Sequence, residues 1–410
     1  MTATSVLRDR AIRALVASET ISMAGSQMTW LVLPWFVLTT TGSPARMSLV
    51  VAAEMTPVAI FGLASGAVTM RIGSRRTFLV CDGARALTLA SIPTLHALGA
   101  LSFGVLLAIV FVTGVFMVPS ATAQRVVLPE LVGEDEARVG QAMSLLQTAQ
   151  AVAGIAGPAL GGILITVLGA ANVLYFDAAS YAFSFALIAL FVFPRYTAPV
   201  GDEPSGVLDG VRFLFRDRLL RVWMLSIAGM NVVWSALSVI FPVLVLRRYG
   251  EHPEILGWIF GAFGVGSVIG AVGSYRIIGR VDRVLLAGLA SAGQTAGLWL
   301  LLPDLPWPVV VAAAALTGVF FPTLNACVVT VRTMRTPPPL RPTVHTAAVT
   351  VATILSPVGA LLAGPALAAT SLGWVLLVTL AANTFVGLAI TVAGLRNRGT
   401  AETAPVTASA

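Results

Sequence analysis

Four carboxylic acids lie inside long apolar stretches of this sequence: Glu19, Glu54, Asp82 and Asp177. One arginine, Arg85, shares that setting. An ionisable group at the middle of an apolar span costs roughly 2.5 to 3.5 kcal/mol on insertion scales, so such groups mark proton relays, ion paths or ligand contacts. Burial disfavours the charged form of a carboxyl group. A carboxyl that faces one aqueous side and then the other can therefore take up a proton and release it. Glu19 is the leading candidate for that work, because Glu19, Ser22, Ser26, Gln27 and Trp30 follow helical spacing along one stripe. Glu54 precedes Thr56-Pro57, where a missing backbone donor can open the helix towards a cavity. Asp82 and Arg85 stand three residues apart on one helical face and are expected to neutralise each other near the cytoplasmic interface. Asp177 lies about five residues, or roughly 7.5 Å, from the outer end of its stretch, which predicts a solvated side chain.

Neutral polar and aromatic residues that project from the same kind of stretch could hold an amphipathic ligand. Gln27, Trp30, Gln147, Gln150, Asn231, Trp234 and Asn325 are the substrate-cavity candidates, a few polar anchors in apolar walls. Enzyme chemistry lacks its parts. His96, His252 and His345 fall at the ends of apolar runs, and Cys81 and Cys327 lie within or beside them. No metal spacing results. All 25 basic residues are arginine, so no lysine exists to build a phosphate-binding Gly-Lys-Ser/Thr loop. Neither a cofactor nor a metal is expected, and a nucleic-acid partner is not needed to explain a net charge of +7.

The elements that must carry these residues follow from composition. Of 410 residues, 57% are hydrophobic and 10% charged, against roughly 25% charged in ordinary soluble domains. Such a chain belongs in lipid. Apolar runs are predicted at 12–38, 47–70, 77–98, 102–124, 139–168 and 172–194, then at 222–246, 255–278, 284–302, 307–331, 344–369 and 372–395. Each is about the length that crosses a bilayer. Arg8, Arg10 and Arg13 before the first run suggest a leader, but the run is too long and too much like its successors, so it reads as an uncleaved span. The predicted organisation is a six-helix bundle at 1–195, a charged linker at 196–221, a second six-helix bundle at 222–396 and a disordered tail at 397–410. With the termini inside, 21 arginines fall on the inner side and only Arg46, Arg247 and Arg248 on the outer side. That bias predicts cytoplasmic termini.

The halves echo each other. Thr113-Gly114-Val115-Phe116 and Pro119 recur as Thr317-Gly318-Val319-Phe320 and Pro322. Ala156-Gly157-Pro158-Ala159-Leu160 recurs as Ala363-Gly364-Pro365-Ala366-Leu367, and Gly66-Ala67-Val68 as Gly270-Ala271-Val272. All keep nearly one offset, which is the mark of a duplication whose halves meet around a cavity.

At these residues the chain resembles the major facilitator superfamily. The segment Gly66, Met70-Arg71-Ile72-Gly73-Ser74-Arg75-Arg76 is similar to the signature loop after the second span, although Met70 stands where that signature has Asp. Arg71 and Gly73 match it, and the resemblance gives them a gating role. Gly154, Gly157-Pro158, Gly161 and Gly162 resemble the small-residue stripe of the antiporting branch, and imply a hinge there. Leu128-Pro129-Glu130-Leu131-Val132 and Asp177-Ala178-Ala179-Ser180 add likeness to the branch with macrolide-efflux proteins and the enterobactin exporter. The resemblance implies an all-α membrane protein of twelve transmembrane helices in two pseudo-symmetric bundles. It implies a monomeric, multi-pass protein of the bacterial inner membrane that exports drugs or secondary metabolites such as siderophores in exchange for protons. A solute importer by symport or uniport, and a non-transporting receptor or scaffold, remain as alternatives.

Overall fold

The computed structural model describes residues 8–61, 69, 71–133, 136–196 and 207–397, with side chains at 125, 136, 137, 207 and 342 excepted. Gly66 and Met70 of the signature loop, part of the 196–221 linker and the tail beyond Asn397 lie outside the described residues. Among the described residues there is no β-strand. The helices are α1 (Arg10–Thr41), α2 (Pro44–Phe61), α3 (Ser74–Ala97), α4 (Phe103–Val132), α5 (Glu136–Leu168), α6 (Ala170–Phe191) and α7 (Val207–Arg216). They continue with α8 (Arg218–Tyr249), α9 (Pro253–Ile277), α10 (Arg283–Trp299), α11 (Trp307–Arg335), α12 (Arg341–Ile354), α13 (Ser356–Ala369) and α14 (Leu372–Arg396). Eleven spans among the described residues are long and apolar enough to cross a bilayer, counting 343–369 as one. The 17-residue α10 is the twelfth, still within the length range of a spanning helix.

The helix boundaries differ from the hydropathy pattern for local reasons. α4 runs past 124 to Val132, because Val127, Leu128, Leu131 and Val132 are buried against Ala11, Ile12 and Leu15 of α1. The apolar run at 344–369 breaks at Leu355, where Pro357 lacks the N–H needed to continue the α12 ladder. Within the linker, residues 207–216 form a helix of their own. Leu214 of α7 is buried with Leu220, Met224, Val344 and Ala347, and Gly210 lies so near the Thr343 carbonyl that a side chain would collide with it.

The chain divides into two compact units, 1–200 with 250–261, and 201–249 with 262–410. In the first, α1 packs on α5 and α6, α3 on α4 and α6, and α2 on α4. In the second, α8 packs on α13 and α14, and α10 on α11 and α14. These four repeat pairings of the first unit, and the fifth, α2 on α4, is echoed where Gly318 of α11 approaches the Phe263 carbonyl of α9. The echoed residues do the same work in each unit: a Cβ on Gly114 would meet the Glu54 carbonyl at 2.6 Å, and one on Gly318 would meet the Phe263 carbonyl at 2.2 Å. Large apolar side chains point outward along the spans, Leu87, Leu362 and Phe385 among them, as lipid contact requires. The predicted outer arginines are held by the chain itself. Arg247 donates to the Leu367 carbonyl, and Arg248 donates to the carbonyls of Leu301 and Leu302 and pairs with Asp304 at 2.6 Å.

Candidate functional site

All four carboxylic acids line one cavity of about 180 Å³ inside the first unit. Glu19 comes from α1, Glu54 from α2, Asp82 from α3 and Asp177 from α6; Arg85 and Tyr181 line it too. α4 contributes Val110, Thr113, Met117, Ser120 and Gln124 at helical spacing. Apolar walls come from Met23, Trp30, Leu33, Phe78 and Leu89.

The structure corrects two expectations here. Asp82 and Arg85 do not neutralise each other at an interface. Asp82 is 1% exposed and accepts a hydrogen bond from Ser184 of α6. Arg85 lies over the Tyr181 ring, its guanidinium carbon 4.1 Å from the centroid, and makes no ion pair within 4.0 Å among the described residues. A desolvated guanidinium on an aromatic face is worth about 2 kcal/mol. Arg85 remains an electrostatic neighbour of Asp177, Asp82 and Glu54, while its Nε has no hydrogen-bond partner among the described residues. Nor is Asp177 solvated. It is 1% exposed, because its side cover comes from α1 and not from distance along its own helix. Gly25 of α1 comes so close that a Cβ there would lie 2.4 Å from both Asp177 Oδ1 and Ser180 Oγ. Ser180 donates to Asp177 Oδ1 at 3.1 Å, and Asp177 Oδ2 has no hydrogen-bond partner among the described residues.

Glu19 is 7% exposed, and Ser22 beneath it is buried. Ser26, farther along the predicted stripe, hydrogen-bonds Tyr181. Glu54 is half-buried, and its own backbone is packed against Gly114 of α4, so the carboxyl and not an opened turn reaches the cavity. The α5 glycines hold α1 in place. A Cβ on Gly157 would meet Gln27 Cβ at 2.6 Å and the Ala24 carbonyl at 2.7 Å; Gly154 lies beside Gln27 and Gly161 beside Met28. Gly162 faces Gly257, and Pro158 lies within the helix.

The remaining predicted residues are dispersed. Gln27 and Trp30 line the acidic cavity, Trp30 packing edge-on against Phe260 at 4.9 Å. Gln147 is exposed and Gln150 half-buried, and neither lines this cavity. Asn231 and Asn325 line a different cavity, in the second unit. Trp234 packs among Phe263 and Phe321. Arg71 is exposed, and Gly73 adopts φ of +91°, a backbone position that suits glycine, just before α3. Sequence reasoning missed Tyr181 and Gln124. The signal was present: Tyr181 lies one turn beyond Asp177, and Gln124 ends a stripe of residues three and four apart on α4.

A family model described as Major Facilitator Superfamily matches residues 15–360. The chain is 28% identical to the multidrug efflux pump Tap of Mycolicibacterium fortuitum over 358 residues, 83% of this chain and 85% of that one. It is 28% identical to the Tap pump of Mycobacterium tuberculosis strain H37Rv over 367 residues, 84% of each chain. Among solved structures it resembles a point mutant of the nucleoside transporter NupG, with a TM-score of 0.78 at 10% identity over 93% of this chain and 99% of that one. A bacterial homologue of the lysosomal transporter Spinster, inward-facing and unoccupied, gives a TM-score of 0.69 at 15% identity over 97% and 98%.

Proposed function

The chain belongs to the major facilitator superfamily, and from that membership we propose that it exports small amphipathic molecules in exchange for protons, by alternating access. It is a multi-pass membrane protein of a transporter family and not an enzyme. The reading places it in the bacterial inner membrane with both termini cytoplasmic, which accords with the arginine bias. Its relatives named as multidrug efflux pumps favour export over import.

One observation carries the proton reading: among the described residues, four carboxylic acids line a small cavity with a single arginine. One guanidinium balances one carboxylate, and unpaired charge in such a space is costly, so charge balance there involves bound protons. Glu19 holds the working position on α1, the helix fixed from behind by Gly157 and Gly161. Arg85, stacked on Tyr181, supplies the fixed positive charge that Asp177, Asp82 and Glu54 share. Met23, Trp30, Phe78 and Met117 offer apolar and aromatic surface to the cargo.

The test uses inverted membrane vesicles loaded with a pH-sensitive dye and holding an imposed proton gradient. Amphipathic compounds are screened for dissipation of the gradient in wild type and in Glu19→Gln. The reading expects active compounds to dissipate it in wild type and at least tenfold more slowly in the variant. Equal dissipation in both removes Glu19 from the coupling, and no response to any compound at high protein density argues against transport altogether.

A further inference from the structure

The second unit holds a cavity of about 250 Å³ between α7, α8, α11 and α12. Its walls are largely apolar, with Trp223, Met224, Ile227 and Val328 among them. Arg332 and His345 are its charged or titratable residues. Arg332 is half-buried, and its Nη2 donates to His345 Nδ1 at 2.8 Å. No carboxylate among the described residues lies within 4.0 Å of it. The contrast with its neighbour on the same helix is sharp: Arg335, one turn on, pairs with buried Asp217 at 2.8 Å.

A ring nitrogen that accepts from arginine carries no proton, so neutral His345 bears its proton on Nε2 and does not offset the guanidinium. The other polar groups of the cavity do not offset it either. Asn231 and Asn325 donate to carbonyls in their own helices, at Ile227 and Phe321, 3.1 Å each, and the Thr353 hydroxyl donates to the Val349 carbonyl at 2.9 Å. The cavity thus presents apolar walls and one cation without a counter-charge among the described residues, whose planar fork matches an oxyanion.

We propose that this cavity binds a small amphiphile with one acidic head, the head on Arg332 and the apolar body against Trp223, Met224 and Val328. The head belongs either to a free amphipathic acid or to an anionic lipid, since both carry the same chemistry. This site is separate from the acidic cavity of the first unit and does not depend on proton exchange there.

The experiment is binding to the purified full chain in neutral detergent, measured by calorimetry, with 4-butylbenzoate, its neutral amide and 4-butylbenzylamine as probes. The benzoate is expected to bind at least tenfold more tightly than the amide, and the amine not at all. Arg332→Gln removes the tenfold preference, and Arg332→Lys keeps part of it. Val349→Trp, on an exposed wall position, fills the space and removes binding of benzoate and amide alike; it guards against a fold defect in the arginine variants. Repeating the titration in nanodiscs separates the sources: competition by phosphatidylglycerol but not phosphatidylcholine assigns the head to lipid, and undiminished benzoate binding assigns it to a free acid. Equal affinity for benzoate and amide in wild type, or a preference that survives both Arg332→Gln and Val349→Trp, overturns the proposal. Binding needs no gradient, so this outcome is independent of the export assay.

Discussion

The coupling between Arg85 and Asp177 is measurable by a double-mutant cycle of Arg85→Gln, Asp177→Asn and the pair. Asp177 comes first among the carboxyl groups that act electrostatically on Arg85, and the two are not within the 4.0 Å of an ion pair. At an effective dielectric near 20, charges about 6 Å apart interact by about 2.8 kcal/mol. Loss of the guanidinium alone also forfeits its place over Tyr181, worth about 2 kcal/mol, and leaves a buried carboxylate uncompensated. Arg85→Gln should therefore cost about 3 to 5 kcal/mol. Asp177→Asn should cost less, because Asn still accepts from Ser180. The double variant should recover about 1.5 to 3 kcal/mol of the summed single losses, the scale of that charge interaction. The assay is reversible unfolding in mixed micelles, followed by tryptophan fluorescence. Additivity within about 0.5 kcal/mol, the level expected of independent sites, would refute the electrostatic linkage and leave Arg85 as a packed aromatic partner only.

Two further outcomes follow from packing and charge. Gly157→Ala should lower stability by up to about 2 kcal/mol, because overpacking against the Ala24 carbonyl costs about 1 to 3 kcal/mol and better helix propensity returns about 1. Gly140→Ala on the same helix, with open space at its Cβ, should be neutral or stabilising in the same thermal melt. At the start of α1, partial burial tends to raise the Asp9 carboxyl, but the Arg195 hydrogen bond, the Ala11 N–H and the charges of Arg195 and Arg138 outweigh it and hold the group below its ordinary value. Asp9 therefore adds stability above a pH of about 4, its unfolded value, and loses it as pH falls through the lower folded value. Arg195 is 54% exposed, so the gain is under about 1 kcal/mol. Asp9→Asn keeps the helix cap and should match wild type near pH 2 while lagging it at pH 7; an equal gap at both pH values contradicts the assignment.

Much of the architecture was legible because bilayer chemistry writes it in apolar length. The duplicated Thr113-Gly114 and Thr317-Gly318 pairs announced the repeat, and each glycine proves to admit a neighbouring backbone carbonyl. What sequence could not convey was lateral packing. Asp177 looked solvated when judged along its own helix, yet Gly25 of α1 seals it from the side. Asp82 and Arg85 looked like a pair by spacing, yet a serine and a tyrosine from α6 take them separately. Helix α7 was hidden in the charged linker because its apolar residues are interrupted by Asp209 and Arg212 and its length is far short of a span, and Leu214 is buried only through α8 and α12.

Proton movement that accompanies cargo in reconstituted liposomes, at zero membrane potential, tests the central claim most directly. Wild type should move protons against cargo, and amide substitution at Glu19 should abolish the proton movement while cargo exchange between the two sides continues. Unchanged proton movement after Glu19, Glu54, Asp82 and Asp177 are each converted to their amides would contradict a proton site in the first-unit cavity.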